Sequence, residues 1–154
     1  MMSLAFDVIK RLQGKTLATA ESCTGGGIGN ALTEISGASA VYKGGIISYC
    51  NEIKAKILHV PEEVLEKHGA VSAPVAEAMA RGAREALQTD IAVSTTGLAG
   101  PSGDAFGNPV GTVFIAYADA QNCVSRHFLF SGNREEVRQQ AVIAALQLIL
   151  EYQG

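Results

Sequence analysis

The 154-residue chain is 47% hydrophobic, the right size for one compact domain over residues 1–154 and cramped for two. Twelve Lys and Arg against fifteen Asp and Glu give a formal charge of −3 without blocks of one sign, which argues against a phosphate-tracking surface for nucleic acid. No uninterrupted apolar run reaches membrane-spanning length. Cys23, Cys50 and Cys123 lack C-x-x-C spacing and stand apart from His59, His68 and His127, so neither a disulfide framework nor a metal site is expected. Lys10 and Arg11 follow rather than precede the first apolar positions, and the expected location is the cytoplasm.

Leu4, Val8, Ile9 and Leu12 recur at helical spacing up to Gly14, so a short amphipathic helix opens the chain. Thr16 to Ala20 reads as a buried first strand. Ile28, Ala31, Leu32 and Ile35 mark a helix ending near Gly37, with Thr24 as its expected N-cap. A second strand runs from Gly44 to Cys50 and a second helix from Asn51 to Leu58, stopped before Pro61. Ser72 is an N-cap, Pro74 is tolerated in a first turn, and the long helix that follows is rich in small residues suited to close packing. Ile91 to Thr95 forms a third strand, followed by a Gly- and Pro-rich loop from Gly97 to Pro109 whose length suggests a functional role. Val110 to Ala118 and Val124 to Phe130 fit an antiparallel pair across a turn at Asp119 to Asn122. Asn133 with Glu136 three residues on starts a last apolar helix reaching Tyr152. Strands alternating with helices and then a hairpin predict a three-layer α/β/α sandwich with a mixed, mostly parallel sheet.

The stretch "ATAESCTGGGIGNAL" carries the first chemical signal. Gly25, Gly26 and Gly27 together forgo roughly 3 kcal/mol of helix propensity, so their place at a helix start needs a reason. One reason is a set of unshielded N–H groups for a phosphate, a carboxylate or a developing oxyanion; the other is close packing of helix on sheet. No Gly-Lys-Ser/Thr follows, so this is not a Walker loop, and a dinucleotide fingerprint is not supported. Ser22 directly precedes the glycines at a strand end and would need a base. Cys50, Lys54 and Leu58 share one i, i+4 column flanked by Ile53 and Ile57, while Glu52 and Lys56 point the other way. Lys54 therefore either loses its proton by burial and serves as that base, or snorkels with its head in water. Arg134 sits at the start of the last helix, against the macrodipole, where a bound anion or salt bridges along the helix would compensate it. Thr95, Thr96, Gly97 and Gly100 lie at the carboxyl end of the third strand, where open α/β sheets bind ligands.

The ordered motifs "AESCTGG", "GGIISYCNEIKAKILHV", "HGAVSAPVAEAMARGAR", "TTGLAGPSG", "PVGTVFIA" and "SGNREEVR" closely resemble the CinA C-terminal domain family, from about Thr16 to the last helix. What the resemblance implies is hydrolysis of the carboxamide of nicotinamide mononucleotide to nicotinic acid mononucleotide and ammonia, in pyridine nucleotide recycling. It implies a serine–lysine pair at Ser22 and Lys54; the residues themselves lead to the expectation of no cofactor and no metal. It also implies a catalytic or positioning Tyr49, and substrate contacts at Thr96, Gly97 and Arg134. Reading the glycine turn and the strand end together adds Thr24, Gly25, Gly26 and Gly100 to the substrate-binding candidates. A homodimer and a small-molecule nucleotide substrate are further implications, as is the stand-alone form, since 154 residues leave no room for the additional N-terminal domain of full-length members. A non-catalytic nucleotide-binding module is the alternative, with Ser22 only a hydrogen-bond donor. The chain departs from the family after Gly103, where "DAFGNPVG", with Asp104 and Asn108, replaces a stretch with more glycine and a lysine.

Overall fold

The computed structural model describes residues 1–154. Strands β1 (Leu17–Glu21), β2 (Tyr42–Ile47), β3 (Ile91–Gly97), β4 (Thr112–Ala118) and β5 (Cys123–Leu129) form one sheet in the order β2-β1-β3-β4-β5. β1 pairs in parallel with β2 and β3, whereas β4 runs antiparallel to both β3 and β5. The sheet is mixed as expected, with only β4 pointing against the other strands.

Six helices cover the two faces: α1 (Met2–Arg11), α2 (Gly27–Thr33), α3 (Asn51–Lys56), α4 (Glu62–His68), α5 (Ala73–Leu87) and α6 (Arg134–Gln153). Side-chain alternation along the strands makes the faces unlike. Leu17, Ile91, Val93, Val113, Ile115 and Tyr117 pack against α1, α2 and α6. Ala18, Ala20, Ala92, Ala116 and Ala118 face α5 and the chain around α3 and α4. The small-residue composition of α5 answers this second face, and its Gly82 lies so close to Leu58 that an added Cβ would fall 2.0 Å from the Leu58 carbonyl oxygen. The result is the three-layer sandwich, with strands β1 and β3 at its centre.

Several boundaries differ from the sequence expectation for physical reasons. The helix after the glycines begins at Gly27, not behind a Thr24 cap, because Gly25 and Gly26 take left-handed φ values of +56° and +100°. α2 also ends at Thr33, and a short 3-10 turn at Ala38–Ala40 follows. α3 stops at Lys56, since the Val60 N–H turns back onto the Lys54 carbonyl and His59 takes a φ of +58°. α4 was not foreseen: its seven residues are too few for a periodic signal, although Glu62 and Glu63 in its first turn and Lys67 and His68 in its last suit the helix dipole. The Ser72 cap on α5 and the reciprocal capping box of Asn133 and Glu136 on α6 form as expected.

Candidate active site

At the carboxyl end of β1 the Ser22 N–H still bonds the Thr95 carbonyl of β3, at 3.0 Å. The chain then leaves the sheet in a tight turn, with the Gly25 N–H on the Ser22 carbonyl and the Gly27 N–H on the Thr24 carbonyl. Neighbouring side chains diverge. Glu21, buried toward α2, accepts the Thr24 hydroxyl at 2.6 Å and the Ile28 N–H at 2.8 Å on Oε1, and the Gly29 N–H at 3.0 Å on Oε2. The first free donors of α2 are therefore already occupied by a carboxylate of the chain itself, so this helix start is not an open anion site. Ser22 points to the opposite layer.

There it meets Lys54, whose Nζ donates to Ser22 Oγ at 3.0 Å and to the Ser48 carbonyl at 2.6 Å. Lys54 is 1% exposed and does not snorkel. Loss of hydration on burial lowers its ammonium from 10.5 to about 8, against a smaller upward pull from Cys50 and Cys23. Leu58 is buried beside it as the helical column implies, but Ile57, expected to flank it, is exposed. Cys23 is also buried, and desolvation raises its thiol to about 11, so it stays protonated at neutral pH.

Ser22 and Lys54 open onto a cavity of about 460 Å³ lined also by Tyr49, Thr96, Gly97, Gly100 and Arg134 among the expected residues. Arg134 makes no salt bridge; from the first turn of α6 it donates to the Gly100 carbonyl and, at 2.9 Å, to the Tyr49 hydroxyl. Tyr49 is therefore held at the cavity wall by Arg134, with no hydrogen bond to Lys54. The Thr96 hydroxyl is directed at the Ala70 carbonyl, 2.7 Å away. Thr24, Gly25 and Gly26 do not line the cavity: the Thr24 hydroxyl is shared between Glu21 and Thr95, and the Gly25 N–H is closed within the turn.

Other lining residues escaped the sequence reading. Asn51, Ala70, Val71 and Phe106 have no local pattern that marks them, because the cavity is completed by segments far apart in the chain. The divergent loop has an internal clip. Asp104 accepts from the Phe106 and Asn108 N–H groups and from the Asn108 side chain, which also reaches the Val71 carbonyl. A larger groove of about 760 Å³ between α3 and α4, lined by Glu52, Glu62 and Glu66, gathers no comparable pair of nucleophile and base. No three His, Cys, Asp or Glu side chains come together as metal ligands, and no helix is long and apolar enough to cross a membrane.

The CinA C-terminal domain model matches residues 2–153. Nicotinamide-nucleotide amidohydrolase PncC of Escherichia coli strain K12 is 47% identical over 140 residues, covering 90% of this chain and 85% of that protein. A CinA-like protein of Geobacter sp. strain M21 is also 47% identical, over 94% of this chain but 35% of its own length. The chain thus spans about a third of the length of the CinA-like relatives it matches. Among solved structures, the competence/damage inducible protein from Agrobacterium tumefaciens superposes with a TM-score of 0.96 at 38% identity, covering 99% of this chain and 95% of that one.

Proposed function

The chain belongs to the CinA C-terminal domain family, and from that premise we propose that it is a nicotinamide-nucleotide amidohydrolase. The observation that carries the reading is the pairing of a buried lysine, depressed to about 8, with the hydroxyl of a serine at a cavity wall. A passive phosphate site has no use for such a lysine, because a cation that binds phosphate gains from staying charged.

In the proposed reaction the neutral Lys54 amine takes the Ser22 proton as Oγ bonds to the carboxamide carbon of nicotinamide mononucleotide. The carbonyl electron pair moves onto oxygen, and N–H groups of the turn after Ser22 receive that charge. The Lys54 ammonium then gives its proton to the departing nitrogen, ammonia leaves, and a seryl ester of the nicotinic acid nucleotide remains. Water, deprotonated by the same amine, attacks the ester, and Ser22 regains its proton as nicotinic acid mononucleotide is released. Tyr49 supplies a ring face for the pyridine, and the Arg134 guanidinium at the lip, with only two of its five donors in use within the chain, supplies contacts for the phosphate. Thr96, Gly97 and Gly100 contribute to the cavity wall. We place this activity in a cytoplasmic homodimer engaged in pyridine nucleotide recycling. The deciding experiment is ammonia release from nicotinamide mononucleotide by the purified chain; tight binding without release would make it a nucleotide-binding module instead.

A further inference from the structure

We infer that Arg138, a residue outside the cavity, is a positioning residue that aims the Thr24 N–H, beside the Cys23 N–H that the turn itself aims, at the oxygen that gains charge; the inference rests on the amidohydrolase reading. In the turn from Ser22 to Gly27, the N–H groups of Gly25 and Gly27 are bonded within the turn, while those of Cys23, Thr24 and Gly26 bond no backbone carbonyl. Each N–H points opposite to the carbonyl of its own peptide plane, since the bond is trans and planar. Whatever grips the carbonyl therefore aims the N–H.

Both relevant planes are gripped. The Ser22 carbonyl, which shares a plane with the Cys23 N–H, accepts from Gly25 at 3.1 Å. The Cys23 carbonyl, which shares a plane with the Thr24 N–H, accepts from Arg138 Nε at 3.0 Å, and Arg138 Nη2 reaches the Thr24 carbonyl at 3.2 Å. Arg138 belongs to α6, in the layer opposite the one that carries Lys54. Drawing the Cys23 carbonyl toward α6 turns the Thr24 N–H away from α6, from just behind Cys23 toward the side on which Ser22 and Cys23 line the cavity. Two successive N–H groups so presented form a concave anion acceptor directly after Ser22.

The guanidinium contributes more than geometry. It has no carboxylate within salt-bridge distance, so its charge is not cancelled locally. Polarising the 23–24 peptide at its oxygen strengthens the N–H at the other end of the same plane. It also packs against the turn so closely that a Cβ at Gly25 would lie 3.3 Å from Nη2. The oxyanion contact thus falls on the two residues before Gly25, whose own N–H the turn closes off.

The test uses Arg138→Met and Arg138→Lys in the full chain, with kcat and KM for nicotinamide mononucleotide measured separately at a temperature where thermal unfolding shows each variant folded. A second probe is the 3-formylpyridine analogue of that nucleotide. Ser22 Oγ adds to its aldehyde carbon, the carbonyl pair moves to oxygen and the serine proton to Lys54, so the charged adduct forms with no leaving group. Arg138→Met should lower kcat about 100-fold, of the order seen when a single oxyanion donor is lost, with KM within about threefold of wild type. Its affinity for the aldehyde should fall by a similar factor while that for the carboxylate product is retained. Arg138→Lys, able to hold one carbonyl, should lie between, and it carries the test if the Met variant does not fold. A kcat within about twofold of wild type in the Met variant, or equal losses for aldehyde and product, would remove the positioning role and leave the hydrolase reading intact. No ammonia from the wild type overturns the hydrolase reading first and this inference with it.

Discussion

Lys54 carries opposite consequences for chemistry and for stability. With its ammonium lowered to about 8, the amine is only partly neutral at pH 7. kcat/KM should therefore rise with pH through about 8 and level off above it. Lys54→Arg should fail as badly as Lys54→Ala, because a guanidinium cannot release its proton. A pH–rate series on the three proteins checks this, and a Lys54→Arg rate near wild type would make the lysine only a fixed charge. For folding, the unfolded lysine keeps its proton to 10.5 whereas the native one releases it near 8. Between those values the unfolded chain binds more protons, so the stability of the native state rises with pH across that window. Lys54→Met, free of the cost of burying a charge, should be more stable than wild type by roughly 1–3 kcal/mol at pH 7, with the gain shrinking as pH climbs toward 10.5. Urea denaturation at neutral and alkaline pH measures it. The neighbouring thiol is the other residue-scale question. Because burial holds Cys23 protonated, Cys23→Ala should keep most activity while Ser22→Ala loses nearly all, and the reverse pattern would exchange their roles. Ser22 and Lys54 were both legible in the sequence, one from its place before the glycines and one from a charged position on an apolar helical column. Arg138 was not, because its partners are backbone carbonyls 114 and 115 residues away.

At the level of elements, α6 does two jobs with its first turns. Asn133 and Glu136 close the capping box, which leaves Arg134 free to reach sideways to Gly100 and Tyr49 instead of satisfying the helix end. A cation against the macrodipole is tolerable there if an anion shares the lip of the cavity. Arg134→Ala should then weaken nicotinamide mononucleotide about 10- to 100-fold while affecting its phosphate-free riboside much less, the usual range for one charge-assisted hydrogen bond. Steady-state kinetics on the pair of substrates gives the answer; equal losses on both would confine Arg134 to bracing Tyr49 and the loop. Elements with strong local chemistry were read correctly: the Ser72 cap, the capping box, and the hairpin whose Asp119 accepts the N–H groups of Gln121 and Asn122. The start of α2 was misread because its cap comes from the preceding strand. Glu21 does from the end of β1 what Thr24 was expected to do locally, and only the tertiary structure brings that carboxylate to Ile28 and Gly29.

Across the whole molecule, the site gathers the end of β1, α3, the loop after β3 and the beginning of α6, while other parts of the chain serve only to hold these in place. α6 shows the division most clearly. Its 20 residues extend about 30 Å at 1.5 Å per residue, so its last turn lies far from the cavity that its first turn helps to close. In that last turn Glu151 bonds Arg126 at 2.7 Å, the Tyr152 ring stacks on Tyr117 with centroids 4.9 Å apart, and Gln153 ties back to Lys15 and the Tyr117 hydroxyl. These contacts join the end of the chain to the hairpin and to the turn after α1 without touching any residue that lines the cavity. Ending the chain after Leu150 removes them together. Loss of one stacked, half-buried tyrosine and its neighbours should cost roughly 2–4 kcal/mol of stability. The preceding turns, which bury Ala145, Leu146 and Ile149, stay packed, so the fold should persist at reduced melting temperature. Measured well below that temperature, kcat and KM for nicotinamide mononucleotide should match the full-length chain, whereas Arg138→Met, some twelve residues closer to the start of the helix, should lose kcat at little change in KM. If the shortened chain instead shifts KM or kcat while still folded, the two ends of α6 are mechanically coupled, and the cavity depends on the position of the entire helix instead of its first turns alone.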